Sequence, residues 1–82
     1  MFHVYIIFSK TANKFYIGVT SNLEERIKKH NAKNKGFTNQ ASDWECLYTE
    51  VYIKKSDALK REREIKKWKS RKKILSLINN IV

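Results

Sequence analysis

Two tyrosines and three other polar residues have the types and spacing from which one chemical site could be built. Tyr5 and Tyr16 are separated by ten residues, and each lies in a short apolar run. Arg26 and His30 follow one helical turn apart, and Glu62 comes much later. Phenol, guanidinium, imidazole and carboxylate groups can activate water, hold a phosphate and bind a metal. A core built only for stability would more often carry Leu or Val at such positions.

The elements that must position these residues begin with two strands. Residues 2–8 are apolar and β-branched or aromatic, which is typical of a strand buried on both faces, and residues 15–20 predict a second strand. The polar segment between them favours a hairpin. We expect Tyr5 to lie directly opposite Tyr16, with both phenols on one side of the sheet.

A helix follows the hairpin. Ser21 or Asn22 can cap it, and it should run to about Ala32. At about 100° per residue, Arg26 and His30 fall on its inward stripe. A buried guanidinium needs an anionic partner, which could be a carboxylate or a ligand phosphate.

Residues 31–45 are polar and lack periodicity, which predicts a long loop of the kind that often carries function. Trp44 is expected to pin its far end. Residues 46–53 predict a third strand, rich in Tyr, Val and Thr.

Two more helices are predicted after the third strand. Ser56 can cap the first of them, whose inward face comprises Ala58, Leu59, Glu62, Ile65 and Lys69. Glu64 falls on the opposite, solvated side. Ser70 can cap the last helix, whose apolar stripe is Ile74, Ile78, Ile81 and Val82.

The order strand, strand, helix, strand, helix, helix predicts a small α+β fold, a three-stranded sheet flanked by helices. At 82 residues we expect a single domain covering residues 1–82.

The charge balance points to a polyanionic partner. Eighteen Lys and Arg against eight Asp and Glu leave a net charge of +10, which favours nucleic acid first and an anionic membrane surface second. The apolar run 4–8 is too short to span a bilayer and lacks a basic leader. We therefore expect a cytoplasmic protein that does not insert into membranes, with association with the nucleoid as an open alternative.

The single cysteine excludes two other classes of site. Cys46 cannot form an internal disulfide, and with only two histidines in the chain it cannot build a zinc site. We expect it to be a small apolar residue in a strand.

In their order and spacing, these motifs resemble the GIY-YIG nuclease family, and most of all its small single-domain bacterial members of uncharacterised type. The residues that carry the resemblance are Tyr5, Tyr16-Ile17-Gly18, Asn22-Leu23-Glu24-Glu25-Arg26, His30 and Ala58-Leu59-Lys60-Arg61-Glu62. It extends over roughly residues 2–75. The resemblance implies a hydrolase that cuts phosphodiester bonds in DNA with one divalent metal, Mg²⁺ or Mn²⁺.

The resemblance also implies roles for individual residues. Tyr5 and Tyr16 match the tyrosines of the two motifs. Either tyrosine could be the general base. We favour Tyr16, with Tyr5 as its hydrogen-bond partner. Arg26 would grip the phosphate with two donors, and His30 would relay a proton or bind the phosphate. Glu62 would supply a hard oxygen to the metal.

Gly18 matches the glycine after the second tyrosine. We expect it to be structural, required by its backbone or by the close approach of a ligand.

The chain departs from the family pattern at two places. His3-Val4-Tyr5 stands where the first motif has Gly-Ile-Tyr, at positions that serve mainly backbone and packing. An asparagine that borders the site in several branches has no match here, since the nearest ones are Asn79 and Asn80. Glu62 is therefore the only clear metal ligand.

A basic segment around Trp68 favours contact with a nucleic-acid backbone. Its predicted contact residues are Lys66, Lys67, Lys69, Arg71, Lys72 and Lys73, joined by Lys33 and Lys35 of the long loop. Because backbone contacts carry no sequence information, we expect little base specificity, or a preference for branched or single-stranded structures. We expect DNA as the partner ahead of RNA.

Two functions thus compete. The first is a metal-dependent endonuclease, in which both phenols, the guanidinium and the carboxylate converge on one pocket. The second is a nucleic-acid-binding domain that keeps the fold but cuts poorly or not at all. A basic protein-interaction domain of the ribosome or nucleoid is supported by charge alone.

Overall fold

The computed structural model describes residues 1–32 and 41–79. Its elements are β1 (Phe2–Ser9), β2 (Lys14–Thr20), α1 (Leu23–Asn31), β3 (Glu45–Tyr52), α2 (Lys55–Lys67) and α3 (Arg71–Asn79). The predicted α+β class and the element order are confirmed. The predicted positions of Lys33, Lys35, Ile81 and Val82 lie outside the described residues.

The three strands form one antiparallel sheet in the order β2-β1-β3, so that β1 is central. Four consecutive residues of β1, from Val4 to Ile7, are at most 1% exposed. Since alternate side chains of a strand point to opposite faces, both faces of β1 must be covered. The prediction of a strand buried on both faces is confirmed.

The predicted register of the hairpin is wrong by two residues. Tyr5 pairs with Gly18, and Tyr16 pairs with Ile7, because the turn spans four residues and contains Asn13 at a φ of 53°. A slip of two residues keeps every side chain on its original face. Tyr5 and Tyr16 therefore still share a face, as expected, but lie diagonally across the two strands.

Each face of the sheet has its own apolar core. On one face, Ala58 and Ile65 of α2 pack in a cluster with three residues of the hairpin: Val4, Ile6 and Ile17. On the other face, the buried residues are Tyr5, Ile7, Ala41 and Trp44, against which α1 packs its partly buried Leu23 and Ile27. The two helices that carry the predicted site residues therefore lie on opposite faces of the sheet.

The helix caps follow the sequence in two cases. Asn22 caps α1, because its Oδ1 accepts from the backbone N–H of Glu25 at 3.2 Å. Ser70 caps α3, accepting from the backbone N–H of Lys73 at 3.3 Å. Each side chain satisfies a donor that the first helical turn leaves unpaired.

The beginning and end of α2 differ from the prediction. The helix starts two residues earlier than a Ser56 cap would allow, and its N-cap residue Lys54 makes no capping side-chain hydrogen bond within the described parts of the chain. At the other end the helix stops at Lys67, and Lys69 has a φ of 47°. Lys69 is therefore exposed beyond the helix and does not lie on its inward face.

Among the residues described, no helix has the length and apolar character needed to cross a membrane.

Candidate active site

Tyr5 lies at the centre of the candidate site, and its ring crosses the neighbouring strand. The residue is 1% exposed. A Cβ atom added to Gly18 would stand 2.5 Å from the Tyr5 Oη and 2.7 Å from its Cζ. The phenol therefore passes directly over Gly18 in β2, a strand whose other side is an edge of the sheet. Glycine is required here because the Tyr5 ring occupies the space that a side chain at this position would fill. The group that approaches closely is therefore Tyr5, and not the ligand that we expected.

His30 meets the phenol on the same face. Its Nε2 lies 2.8 Å from the Tyr5 Oη, and the residue is 7% exposed at the end of α1. The imidazole ring is centred 4.8 Å from the ring of Tyr16, and the two tyrosine rings are 6.4 Å apart. The structure thus brings three of the five predicted residues into one aromatic cluster.

The residue after His30 anchors this end of α1. Asn31 donates from its Nδ2 to the Trp44 carbonyl at 3.0 Å and accepts from the Trp44 backbone N–H at 2.7 Å. The Asn31 side-chain amide thus makes, with the backbone of Trp44, the pair of hydrogen bonds that a neighbouring strand would make. The predicted pinning by Trp44 is confirmed, and its partner Asn31 was not predicted.

The pKa values of the buried pair shift in the directions that keep both groups neutral. Burial raises the pKa of the Tyr5 phenol, and the proximity of Tyr16 raises it further. Arg26 acts in the opposite sense, and Glu62 again raises it. Burial also lowers the pKa of His30, with Arg26 contributing to the same effect. Tyr16, Arg26 and Glu62 are thus close enough to act electrostatically on Tyr5, and Arg26 also acts on His30.

Arg26 differs from its expected orientation. We predicted it on the inward stripe, but its side chain is exposed. A long side chain at the border of a helix face can lay its stem against the protein and keep its charge in water. Arg26 lines a shallow depression together with Thr20, Ser21, Asn22, Glu25 and Lys29, so a phosphate that entered it would meet two cations and one carboxylate.

Glu62 has the partly buried position that its helix periodicity predicts. Its side chain is 17% exposed, against 55% for Glu64 only two residues later. It pairs with Lys66 at 3.5 Å. Glu62 lies on α2, which packs on the face of the sheet opposite to the Tyr5 ring, yet its charge acts on the Tyr5 phenol.

The residues present fit a metal that binds few protein groups. In the described parts of the chain, no three His, Cys, Asp or Glu side chains lie together as a ligand set. Mg²⁺ commonly uses one or two carboxylates and completes its shell with water and phosphate oxygens. Glu62, a partly buried carboxylate whose charge acts on the Tyr5 phenol, suits that mode and does not by itself suit zinc.

The predicted basic contact residues separate into two groups. Lys66, Lys67, Lys69, Lys72 and Lys73 are exposed. Arg71 is exposed as well, but its guanidinium donates to the Asn13 Oδ1 at 2.7 Å and lies over the rings of Phe8 and Phe15. Arg71 therefore has a structural role that its place in a basic run did not suggest.

A second polar network, on β3 and α2, was not predicted. The Glu50 carboxylate accepts from the phenols of Tyr48 and Tyr52 and from the guanidinium of Arg61. The alternation of β3 does place Tyr48, Glu50 and Tyr52 on one face, so the signal was present in the sequence. Only the packing of α2 shows which cation completes the network.

Comparison with known proteins agrees with this architecture. Residues 1–74 match the model of the GIY-YIG catalytic domain. The chain is 38% identical over 73 residues to a UPF0213 protein of Staphylococcus haemolyticus, and the match covers 88% of each chain. It is also 38% identical over 78 residues to a UPF0213 protein of Staphylococcus saprophyticus, with 94% of this chain and 93% of that one covered.

A solved structure shares the fold. The solution NMR structure of the UPF0213 protein BH0048 from Bacillus halodurans aligns with a TM-score of 0.61 at 30% identity, over 99% of this chain and 86% of that chain. Its likeness extends over the sheet and the helices on both faces. Sequence, fold and the clustered tyrosines together lead to one conclusion: the chain belongs to the GIY-YIG family, a family of nucleases that act on nucleic acid.

Proposed function

We propose that this protein is a metal-dependent endonuclease that hydrolyses phosphodiester bonds in DNA. The observation that carries the proposal is the convergence on Tyr5: its hydroxyl contacts His30, its ring neighbours Tyr16, and Arg26 and Glu62 both act on its pKa. Such a set offers a base, a phosphate ligand and a hard oxygen donor within one region.

Tyr16 is the general base in this proposal. A base must lose its own proton before it can take one from water, and the raised pKa of the buried Tyr5 phenol opposes that loss. Tyr16 is more exposed than Tyr5 and borders the same imidazole. Tyr5 and neutral His30 then hold the site together through their hydrogen bond and orient Tyr16 toward the attacking water.

In this proposal Arg26 binds the negatively charged phosphate, and Glu62 binds the cation that neutralises charge during cleavage. The exposed guanidinium of Arg26 can donate two hydrogen bonds to the non-bridging oxygens of a phosphate. Glu62 is the residue that would hold the divalent cation, after releasing Lys66. When bound, the cation supplies neutralisation of charge on the phosphate and on the leaving oxygen.

The substrate in this proposal is recognised through its backbone. The exposed lysines of α2 and α3 attract phosphates of any sequence, and a chain of net charge +10 attracts them from a distance. We therefore expect weak base specificity, or a preference for branched or single-stranded DNA.

Incubation of the purified protein with plasmid, branched and single-stranded DNA tests the proposal, with Mg²⁺, Mn²⁺ or EDTA present. Wild type should cut only with metal. Tyr16→Phe should lower the rate by about 10²–10⁴-fold, the usual contribution of a general base. Glu62→Gln should cause at least as large a loss, while both variants keep salt-sensitive binding to DNA.

A matched control is Glu24→Gln, which removes the same charge from an exposed position on α1. This variant should cut like wild type. Normal cutting by Glu62→Gln and Tyr16→Phe would show that the site is elsewhere. Tight binding without cutting by any form of the protein would favour the alternative, a nucleic-acid-binding domain with the same fold.

A further inference from the structure

The network on β3 and α2 bears directly on the carboxylate of the proposed site. We propose that the Glu50–Arg61 pair is a positioning device, which fixes the rotation of α2 so that the next residue, Glu62, presents its carboxylate to the metal. This inference rests on the proposed function, because it concerns the same metal-binding residue. Glu50 and Arg61 themselves touch neither substrate nor metal in it.

The geometry of the pair is that of a rigid clamp. The Nε of Arg61 lies 3.0 Å from one carboxylate oxygen of Glu50, and its Nη2 lies 3.1 Å from the other. Tyr48 and Tyr52 donate to the same two oxygens at 2.5 and 2.6 Å. A carboxylate that accepts from four donors, two of them from one guanidinium, has little freedom to reorient.

The other side of the guanidinium is held as well. Its Nη1 donates to Glu64 at 3.0 Å, and the group lies over the ring of Trp68, 5.6 Å from the ring centre. Both members of the pair are mostly buried, with side chains 23% and 17% exposed. Arg61 is therefore fixed from the strand side and from within its own helix.

The charge state of the network agrees with a permanent clamp. Burial alone would raise the pKa of the Glu50 carboxyl, but the hydrogen bonds from Arg61, Tyr48 and Tyr52 outweigh it and hold the pKa below its ordinary value. Glu50 is therefore ionised throughout the neutral range. The pair therefore keeps both of its charges at neutral pH.

Helix α2 needs such a device because its other attachments are weakly directional. Its N-cap residue Lys54 makes no capping side-chain bond in the part of the chain described here. Ala58 and Ile65 attach it to the sheet by apolar packing, which has no preferred direction. Among the described residues, Arg61 gives α2 a directional, multiply bonded link to the sheet.

A small error in rotation would matter at Glu62. Side-chain ends lie about 6 Å from a helix axis, so a turn of about 10° moves the carboxylate by about 1 Å. A misplacement of about 1 Å can lower a rate about 10²-fold. Because Arg61 and Glu62 are consecutive in α2, a rotation that Arg61 resists is the same rotation that would move Glu62.

The experiment compares two pairs of matched variants. Arg61→Lys keeps the positive charge but loses the planar fork, and Arg63→Lys makes the same change at an exposed position on the other side of Glu62. Glu50→Gln is compared with Glu45→Gln, an exposed residue of the same strand. For each we would measure Tm, the Mg²⁺ concentration that gives half-maximal cutting, and the broadening by Mn²⁺ of amide NMR signals near Glu62.

A positioning role predicts that Arg61→Lys and Glu50→Gln need about tenfold more metal, a loss typical of residues that orient a metal ligand. The two controls should match wild type. A purely structural pair would lower Tm and leave both metal readouts unchanged, which would overturn the inference while the proposed function stood. If Mn²⁺ fails to broaden signals near Glu62 in wild type, the metal site fails, and the inference fails with it.

Discussion

At the scale of single residues, Gly18 decides where the Tyr5 phenol can lie. The phenol passes over Gly18 to reach His30, with the space of a Cβ already filled by its hydroxyl and ring. The glycine is thus needed for the room it leaves, since a strand residue in this position would otherwise carry a side chain. The same gap brings the phenol to the edge of the sheet.

Gly18→Ala should therefore damage the site from a position that touches no substrate. The new methyl group must displace the Tyr5 ring and break its 2.8 Å contact with His30. We expect a destabilisation of about 1–3 kcal/mol from overpacking, and a fall in cutting of about 10²-fold from misplacement. Thermal unfolding and plasmid cleavage measure the two effects.

The double variant Gly18→Ala/Tyr5→Leu tests whether a clash with the Tyr5 ring causes the loss of stability. Without the aromatic ring the methyl group has room, so the added alanine should no longer lower Tm relative to Tyr5→Leu alone. An equal loss of Tm in both backgrounds would contradict the clash.

At the scale of elements, Arg71 joins α3 to the hairpin. Phe8 and Phe15 face each other across β1 and β2 with ring centres 4.8 Å apart, and the guanidinium lies over both rings. It also bonds to Asn13 in the turn. This contact links residues that are 58 positions apart and holds the last helix on the sheet.

Arg71→Gln should consequently lower stability more than it lowers DNA binding. Loss of the cation–π contacts is worth about 1 kcal/mol at a surface site, or a drop of about 4–8 °C in Tm for a chain of this size. Lys72→Gln, the neighbouring exposed residue, is the matched control. It should weaken DNA binding with little change in Tm, and the opposite order of effects would refute this division of roles.

At the scale of the whole molecule, the dominant property is its net charge of +10. Exposed lysines are concentrated from the second half of α2, the helix that carries Glu62, to the start of α3. Such a field raises the rate of encounter with a polyanion and gives affinity that depends on salt.

Binding to duplex DNA should weaken steeply as salt increases. Four phosphate contacts, by Lys67, Lys69, Lys72 and Lys73, would give a slope of about −3.6 for log K against log salt. Fluorescence anisotropy in EDTA measures this slope without cleavage. Each Lys→Gln change in the set should reduce the slope by about 0.9, whereas Lys10→Gln in the hairpin turn should not, and a slope near zero would exclude backbone contact.

Local patterns in the sequence were sufficient for the elements and for most of the caps. The apolar run of β1, the Asn22 and Ser70 caps and the separation of Glu62 from Glu64 all depend on alternation or on helical periodicity, which act over a few residues. The family resemblance added the identity of the candidate site residues, because their order and spacing are kept along the chain.

The three-dimensional contacts were decided by the tertiary structure. The hairpin register depended on a turn that includes a residue at positive φ, and the exposure of Arg26 depended on where the border of α1 falls against the sheet. Patterns that extend over a few residues predict neither the conformation of that turn nor the position of that border.

By itself, therefore, the sequence determined an α+β chain of the GIY-YIG family with a strongly basic surface. Only the folded molecule decided that Tyr5 passes over Gly18 to His30, that Arg71 docks α3, and that Glu50 holds Arg61 beside Glu62. The physical reason is that each of these contacts joins residues far apart in the chain, so its geometry is fixed by how the sheet and helices pack and not by local propensity.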